Sequence, residues 1–184
     1  MLKPAVFLDR DGTLMEERNY CSRPEDVWVF AHVPQGLQRL AQAGFQLVLI
    51  TNQSGIGRGY FTQARFRAVQ AELARQLGPA RLDAVYFCPS VPEMGDPRRK
   101  PSPAMVLEAA RDLGLDLARS WFVGDKAIDA ECGHRAGTRT VLVRTGHGPG
   151  ESDADADSTA ANFTEAVDHI LQTRFNNPPV THAH

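Results

Sequence analysis

The chain has 184 residues, of which 42% are hydrophobic and 23% charged, and its formal net charge is −2 at pH 7. This composition is typical of an ordinary globular protein, and the near-neutral charge excludes a surface built for bulk binding of nucleic acid or an anionic membrane. No stretch reaches the roughly 20 apolar residues that a membrane span requires. We therefore expect one globular domain over residues 1–174 and a flexible tail over residues 175–184.

The cysteines indicate the compartment. Cys21, Cys88 and Cys132 are odd in number and widely separated, and no pair of them has C-x-x-C spacing. This pattern favours a reduced protein over a disulfide framework. Only eight residues precede Asp9 and they contain no long apolar segment, so we expect no signal peptide and a cytoplasmic location.

The first predicted element is a buried strand that ends at two acidic residues. The apolar run Ala5–Leu8 has the character of a strand covered on both faces, and Asp9 and Asp11 follow it at once. In open α/β sheets, ligands bind beyond the carboxyl ends of the strands. Asp9 and Asp11 are therefore predicted to lie at a functional site.

Strand and helix patterns then alternate along the chain. Residues 14–31 carry no sustained period and are interpreted as a loop or flap. Apolar runs predict further strands at 45–50, 83–87, 121–123 and 140–143, the last of the sheet. Helices are predicted at 34–44, 63–77 with Thr62 as N-cap, 102–113, 128–136 and 163–174. This alternation predicts an α/β fold with a doubly wound parallel sheet.

Two glycine-rich or acidic segments are interpreted as loops. Residues 54–59 have the wrong glycine spacing for a dinucleotide-binding fingerprint and are expected to form a flexible loop near the site. Residues 147–160 are predicted to be a surface loop, in which Asp153, Asp155 and Asp157 alternate as at the start of a calcium-binding loop. Ser158 replaces the glycine that such a loop needs, so a solvated acidic loop is the preferred interpretation.

Four motifs together resemble the signatures of the haloacid dehalogenase superfamily. They are the segment Leu8-Asp9-Arg10-Asp11-Gly12-Thr13, the segment Thr51-Asn52-Gln53-Ser54, Lys100 after the third strand, and Gly124-Asp125 after the fourth. The resemblance implies that Asp9 is the nucleophile and Asp11 the general acid and base of a phosphatase. It also implies a Rossmann-like sheet of the haloacid dehalogenase type.

The same resemblance assigns the remaining site residues. Mg²⁺ would be held by the carboxylates of Asp9 and Asp125 and the backbone carbonyl of Asp11, with Asp129 in a supporting position. The phosphoryl group and the rest of the substrate would be bound by Thr51, Asn52, Gln53, Ser54, Arg99, Lys100 and Lys126. Arg98 is interpreted as a solvated charge.

Further motifs resemble the branch that contains histidinol phosphatases and heptose 1,7-bisphosphate 7-phosphatases. They run from about residue 5 to residue 146, and the intervening segments are too short for a separate cap domain. The resemblance implies a Mg²⁺-dependent phosphomonoesterase of carbohydrate metabolism, with a sugar bisphosphate as its substrate. We expect the protein to be a monomer. Selectivity would come from the loop after Cys88 and from a flap around residues 17–20.

One departure from this branch concerns a structural zinc ion. The branch commonly binds zinc through a C-x-H pair and a C-x-C pair after the third strand. Here Ser90 stands in place of the histidine, and no C-x-C pair stands directly before Arg99 and Lys100. Cys88 would be the only thiol ligand, so no zinc site is expected.

Two alternatives remain open at this level. Histidinol phosphate is the nearest alternative substrate, because its amine could pair with Glu16 or Glu17 of the flap. A phospho-accepting signalling domain of the receiver type also combines Asp, Thr and Lys. Receivers are shorter, however, and carry the phosphorylated aspartate in the middle of the chain rather than after the first strand.

Overall fold

A computed structural model describes residues 2–146 and 156–176, with side chains described as far as Thr173. Six parallel strands form one sheet in the order β3-β2-β1-β4-β5-β6. The strands are β1 (Ala5–Leu8), β2 (Gln46–Asn52), β3 (Ala84–Cys88), β4 (Trp121–Gly124), β5 (Arg139–Val143) and β6 (Ser158–Ala160). The helices are α1 (Val33–Gln42), α2 (Ser54–Gly57), α3 (Gln63–Leu77), α4 (Ala104–Leu113), α5 (Ala127–Ala136) and α6 (Phe163–Asn176).

Strand β1 lies at the centre of the sheet, and its four residues are fully buried. Successive side chains of a strand point to opposite faces. Val6 and Leu8 accordingly pack in a hydrophobic cluster with residues of α1, α3 and α6. Ala5 and Phe7 pack on the other face with residues of α4 and α5. Helices therefore cover both faces of the sheet, and the predicted doubly wound α/β fold is confirmed.

The predicted elements agree with the structure within a few residues at each end. The helix predicted at 63–77 is α3, and the hydroxyl of Thr62 caps it by accepting a hydrogen bond from the backbone N–H of Arg65 at 3.3 Å. Segment 14–31 contains one short 3₁₀ helix, Pro24–Asp26. Among the described residues no segment forms a separate cap domain, and no helix combines the length and apolar character needed to cross a membrane.

The prediction that β5 is the last strand was wrong. Residues Ser158–Ala160, expected in a loop, form β6 and pair in parallel with β5, with Ser158 opposite Val141. A three-residue edge strand is too short to show an alternating pattern, so only pairing with β5 defines it. Residues 147–155, which include Asp153 and Asp155 of the predicted acidic loop, lie outside the described residues.

The structure differs from expectation at two further segments, one a helical turn that was not predicted and the other the end of the last helix. Ser54–Gly57, predicted as part of a flexible loop, is the helical turn α2, and Gly55 packs so closely that a Cβ there would overlap the ring of Phe61. The glycine therefore serves close packing rather than flexibility. Helix α6 continues to Asn176, two residues into the predicted tail, and residues 177–184 lie outside the described part of the chain.

Candidate active site

The carboxyl ends of β1 to β4 surround a cavity of about 290 Å³. Because parallel strands end at the same edge of a sheet, the polar residues that follow them are brought together there. Eight of the predicted site residues line this cavity, namely Asp9, Asp11, Thr51, Asn52, Gln53, Ser54, Lys100 and Lys126. Asp125 and Arg99 are not among its lining residues.

Lys100 makes the densest set of polar contacts at the floor of the site. Its Nζ lies 2.7 Å from an oxygen of Asp9 and 2.7 Å from an oxygen of Asp129, and it donates to the carbonyl of Ile50 at 3.0 Å. The side chains of Lys100, Asp9 and Asp129 are all buried. Burial lowers the pKa of Lys100, but Asp129 and Asp9 outweigh this and raise it above its ordinary value. Lys100 therefore remains a cation inside the protein.

Three buried carboxylates face this single ammonium group. Asp9, Asp125 and Asp129 each offer an oxygen within 4.8 Å of the others. Burial raises the pKa of Asp9 to about 6, and Asp129 and Asp11 add to the rise while Lys100 opposes it. Burial, together with the charges of Asp9 and Asp129, raises the pKa of Asp125 to about 9. The cluster has an excess of negative charge that suits a hard divalent cation.

Glycines allow the backbone to approach Asp125 closely. A Cβ at Gly12 or at Gly146 would overlap the Asp125 carboxylate, and Gly12 also has a φ of +81°, which favours glycine. The hydroxyl of Thr145 donates to the carbonyl of Gly12 at 2.6 Å and so ties the segment after β5 to the loop after β1. Asp125 is therefore enclosed by backbone on two sides.

Asp11 is held by a buried arginine and a glutamine. Arg10 donates to both oxygens of the Asp11 carboxylate, from Nε at 3.0 Å and from Nη2 at 3.1 Å. The side-chain amide of Gln53 donates to Asp11 at 3.1 Å and to the hydroxyl of Thr51 at 2.9 Å. Arg10 also donates to Gln53 at 3.1 Å and, from Nη1, to Gln70 of α3 at 3.0 Å.

Asn52 connects the end of β2 to the loop after β3. Its amide donates to the carbonyl of Lys100 at 3.1 Å, and its oxygen accepts from the N–H of Lys100 at 3.1 Å. This reciprocal pair positions the Lys100 backbone. The neighbouring Arg99 donates to the carbonyl of Ser90 at 2.8 Å, and Arg98, expected to be solvated, is only partly exposed and pairs with Glu108 at 2.9 Å.

The flap reaches the cavity through residues 17, 19 and 20. Glu17 forms an ion pair with Lys126 at 3.2 Å, which connects the flap to the start of α5. Burial lowers the pKa of Lys126, but Asp125 and Glu17 outweigh it and raise that pKa. Tyr20 has a φ of +64° and packs edge-on against Tyr60 at a ring distance of 4.9 Å. A bulky residue in this conformation is uncommon and is often associated with a functional site.

Sequence reasoning named Asp129, Glu17 and Lys126 but not their partners, and it assigned no role to Arg10 or Gln70. The Asp129 partner of Lys100, the Glu17–Lys126 pair and the Arg10–Gln70 contact all join segments distant in the chain. Arg10 lies inside the first motif, and its position between two acidic residues is a signal that the sequence offered. Gln70 offered none, because a glutamine on a surface helix is ordinary.

Comparisons with known proteins agree with this geometry. The model of the HAD-hydrolase-like family matches residues 97–173. The D-glycero-β-D-manno-heptose-1,7-bisphosphate 7-phosphatase of Haemophilus ducreyi is 38% identical, covering 92% of this chain and 100% of that protein. The corresponding D-glycero-D-manno-heptose-1,7-bisphosphate 7-phosphatase of Thermosynechococcus vestitus is 44% identical over 80% of this chain and 82% of its own length.

A solved structure is similar over nearly the whole chain. The D,D-heptose 1,7-bisphosphate phosphatase of B. bronchiseptica, complexed with magnesium and phosphate, superposes with a TM-score of 0.84 at 31% identity, covering 92% of this chain and 99% of that one. The chain belongs to the haloacid dehalogenase-like hydrolases and is a phosphoric monoester hydrolase. Within that family it groups with proteins named heptose 1,7-bisphosphate phosphatases, which removes the reason to consider a receiver-type signalling domain.

Proposed function

We propose that this enzyme removes the 7-phosphate of D-glycero-D-manno-heptose 1,7-bisphosphate through an aspartyl phosphate formed on Asp9. The observation that carries the chemistry is the placement of Asp9 at the end of β1, paired with Lys100 and lining the same cavity as Asp11. The names of its relatives support the substrate, since several with 38–44% identity are heptose 1,7-bisphosphate 7-phosphatases.

The first step transfers the phosphoryl group to Asp9. A carboxylate oxygen of Asp9 forms a bond to phosphorus while the bond from phosphorus to the sugar oxygen breaks, and Asp11 gives its proton to that oxygen. Lys100 offsets the charge that gathers around the phosphoryl oxygens. The hydroxyl of Thr51 accepts from Gln53, which leaves its own proton available to a phosphoryl oxygen.

The second step releases phosphate. Asp11, now a carboxylate, removes a proton from a water molecule, and that water attacks the phosphorus of the aspartyl phosphate. The bond from phosphorus to Asp9 breaks, which restores the Asp9 carboxylate and yields inorganic phosphate. Asp11 regains its proton in this step, so both acidic residues return to their starting states.

We infer that Mg²⁺ is held by the carboxylates of Asp9 and Asp125 and by the backbone carbonyl of Asp11. The three-carboxylate cluster supports this, because its excess negative charge and oxygen donors suit Mg²⁺. When bound, the ion neutralises negative charge on the transferring phosphoryl group. Asp129 is paired with Lys100 and takes the supporting position.

Replacing Asp125 by Asn is expected to stabilise the Mg²⁺-free enzyme while abolishing Mg²⁺ binding. The pKa of Asp125 is raised to about 9, so the folded state retains a proton that the unfolded state loses above about pH 4. Stability of the wild type without Mg²⁺ should therefore fall as pH rises, by about 1 to 3 kcal/mol between pH 6 and pH 8. The stability of Asp125→Asn should fall less than that of the wild type over the same pH range.

The measurement is urea unfolding at several pH values, with and without Mg²⁺, accompanied by calorimetric titration of Mg²⁺. Asp112→Asn on the surface of α4 is the control and should follow the wild type. Because Mg²⁺ binds the ionised carboxylates, it should stabilise the wild type more at pH 8 than at pH 6. An Asp125→Asn protein that binds Mg²⁺ like the wild type would contradict the assignment.

The second phosphate of the substrate needs cationic partners. Lys126 lines the cavity and is the nearest candidate, and Arg99 would serve after exchanging its bond to Ser90 for one to the substrate. Histidinol phosphate is the second candidate substrate, because the carboxylate of Glu17 lines the cavity while Glu16 is paired with Arg18 at the surface. Glu17 is itself paired with Lys126, so an amine would have to displace that lysine.

The test is phosphate release in the presence of Mg²⁺, compared as kcat/KM across a panel of substrates. The panel holds both anomers of heptose 1,7-bisphosphate, histidinol phosphate, simple sugar phosphates and nucleotides. We expect one heptose bisphosphate anomer to be preferred by several decades. A preference for histidinol phosphate would replace the proposed substrate, and absence of release from every ester would refute the phosphatase itself.

We infer that the loop after β3 is held without zinc. The hydroxyl of Ser90 donates to Asp96 and the backbone N–H of Arg98 donates to the same carboxylate at 2.8 Å, which supports a loop closed by its own hydrogen bonds. Cys88 would be its only thiolate ligand. Stoichiometric zinc in metal analysis of the purified protein would overturn this inference.

We also infer that residues 1–174 act as one domain of a cytoplasmic monomer. The single sheet that connects β1 to β6 supports one domain, and the buried, free cysteines support a reducing compartment. Light scattering of the purified protein checks the oligomeric state, and a dimer at working concentration would contradict this part of the proposal.

A further inference from the structure

Arg10 is a buried charge that the proposed mechanism does not use. Its side chain is 1% exposed, and it is the largest of the fully buried side chains among the described residues. An arginine is rarely buried unless its donors are satisfied. Here the guanidinium contacts the Asp11 carboxylate, Gln53 and Gln70 and lies over the ring of Phe66 at 5.6 Å.

The guanidinium fixes the orientation of Asp11. Nε and Nη2 bind one oxygen each of the Asp11 carboxylate, which is the planar, two-point contact that arginine makes with carboxylates. The amide of Gln53 adds a third donor to Asp11. Oδ2 accepts from both Nε and Gln53, whereas Oδ1 accepts only from Nη2, so Oδ1 keeps a lone pair that can carry the transferable proton. The Asp11 carboxyl group cannot turn about its side-chain bonds without breaking several of these hydrogen bonds.

Gln70 in turn fixes the guanidinium. It lies on α3, sixty residues from Arg10, and its side-chain oxygen accepts from Nη1, the nitrogen that does not bind Asp11. Gln70 is not among the residues that line the cavity. Phe66, one helical turn before it, contacts the face of the same guanidinium. Helix α3 thus contacts the Arg10 guanidinium twice, through the hydrogen bond from Nη1 to Gln70 and through the ring of Phe66 that lies against its planar face.

We propose that Gln70 and Arg10 are positioning residues that align Asp11 for proton transfer to the leaving oxygen. This inference rests on the proposed function, in which Asp11 is the general acid. Proton transfer requires the acid within hydrogen-bond reach of the atom that it protonates, so a protonated Asp11 side chain that is free to rotate donates its proton less often. Gln70 does not line the cavity, and Arg10, which borders it, has its donors occupied by Asp11, Gln53 and Gln70. Both residues therefore act through Asp11.

The leaving group of the substrate distinguishes this role from a structural one. An alkyl phosphate, such as a sugar phosphate, releases an alkoxide that must be protonated as the bond breaks. The nitrophenolate released by p-nitrophenyl phosphate is stable without a proton. Loss of acid alignment therefore slows the alkyl ester selectively, and kcat/KM is the correct measure because it covers only the steps up to departure of the leaving group.

The experiment compares Gln70→Leu with Gln76→Leu in the full-length, Mg²⁺-loaded enzyme. Gln76 is the matched control, because it lies on the same helix and binds the backbone of Val27 at 2.8 Å and Val29 at 3.1 Å, away from Asp11. For Gln70→Leu we expect kcat/KM to fall about 10- to 100-fold on the sugar phosphate and less than about threefold on p-nitrophenyl phosphate. Gln76→Leu should change both substrates by the same factor.

Two further variants complete the test. Gln70→Glu keeps an acceptor oxygen for Arg10 and should recover most of the activity on the sugar phosphate. Arg10→Lys keeps the charge but loses the two-point contact, so it should show the same selective loss as Gln70→Leu. Equal losses on both substrates in Gln70→Leu and Arg10→Lys would overturn the proposal. A wild-type enzyme that hydrolyses neither ester would instead refute the proposed function.

Discussion

Replacing Asp9 by Asn is expected to lower kcat for phosphate release by about 10³-fold or more, because an amide cannot form the aspartyl phosphate. The loss should be equal for every phosphate ester, since the nucleophile is required whatever the leaving group. The protein should remain folded, because Lys100 keeps its bonds to Asp129 and to the carbonyl of Ile50. Its stability without Mg²⁺ should be unchanged or higher, since one buried carboxylate of the cluster is neutralised.

The measurement is steady-state phosphate release, together with mass spectrometry of the acid-quenched enzyme for a phosphoryl adduct on the wild type. Asp83→Asn is the matched control. Asp83 precedes β3 at the opposite end of the sheet, where its carboxylate accepts from the N–H of Leu47 at 2.7 Å, and asparagine keeps that acceptor oxygen. Full activity in Asp9→Asn would show that another residue attacks phosphorus.

Replacing Lys100 by Met should have the largest combined effect on stability and activity. It removes the only ammonium that contacts Asp9 and Asp129 among the described residues and leaves both carboxylates buried. Removing one partner of a buried ion pair costs about 3 to 5 kcal/mol, because the remaining charge is uncompensated. Activity should be lost with it, since Lys100 offsets the charge of the transferring phosphoryl group.

Lys126→Met is the matched control for this substitution. Its side chain is 29% exposed and pairs with Glu17, which is itself partly exposed. Partly exposed ion pairs contribute about 1 kcal/mol or less, so this variant should unfold at nearly the urea concentration of the wild type. Its KM should rise if Lys126 binds the substrate. Equal destabilisation in both variants would contradict the role assigned to the buried lysine.

The stability of Lys100→Met should also depend on pH differently from that of the wild type. Lys100 opposes the rise in the pKa of Asp9, so without Lys100 that pKa should rise further, and the folded state would bind a proton that the unfolded state releases. Stability of Lys100→Met should therefore fall more steeply than that of the wild type as pH increases from about 5 to about 8. Urea unfolding at about pH 5 and about pH 8 measures the free energy of unfolding of each protein. A pH profile of Lys100→Met that runs parallel to that of the wild type would argue against the role assigned to Lys100.

Part of the site was predictable because the relevant signals are local in sequence. An apolar run followed by Asp9, another followed by Thr51, and a third followed by Asp125 place polar groups at strand ends without knowledge of any contact. In a parallel sheet these ends share one edge, so their convergence followed from the predicted fold. The loop after β3 then added Lys100 to the same edge.

The sequence predicted which residues lie at the active site better than it predicted what each side chain contacts there. Asn52 was expected to bind the phosphoryl group, whereas its amide bonds twice to the backbone of Lys100. Gln53 was expected there too, and both donors of its amide are directed at Asp11 and Thr51. The Arg99 side chain donates to the carbonyl of Ser90 and does not line the cavity. A motif gives the position of a side chain along the strand, but the direction of a flexible side chain depends on its neighbours.

The sequence by itself therefore determined the order of β1 to β5 and of the helices other than α2, the α/β class, and most of the acidic and basic residues at one edge of the sheet. These features follow from hydrophobic periodicity, turn residues and strand ends, which are properties of neighbouring residues. The tertiary structure alone decided the strand order, the pairing of β6, the carboxylates that face Lys100 and the contact of Gln70 with Arg10. Each of these joins segments distant in the chain, and such contacts form only when the whole sheet and its covering helices are assembled.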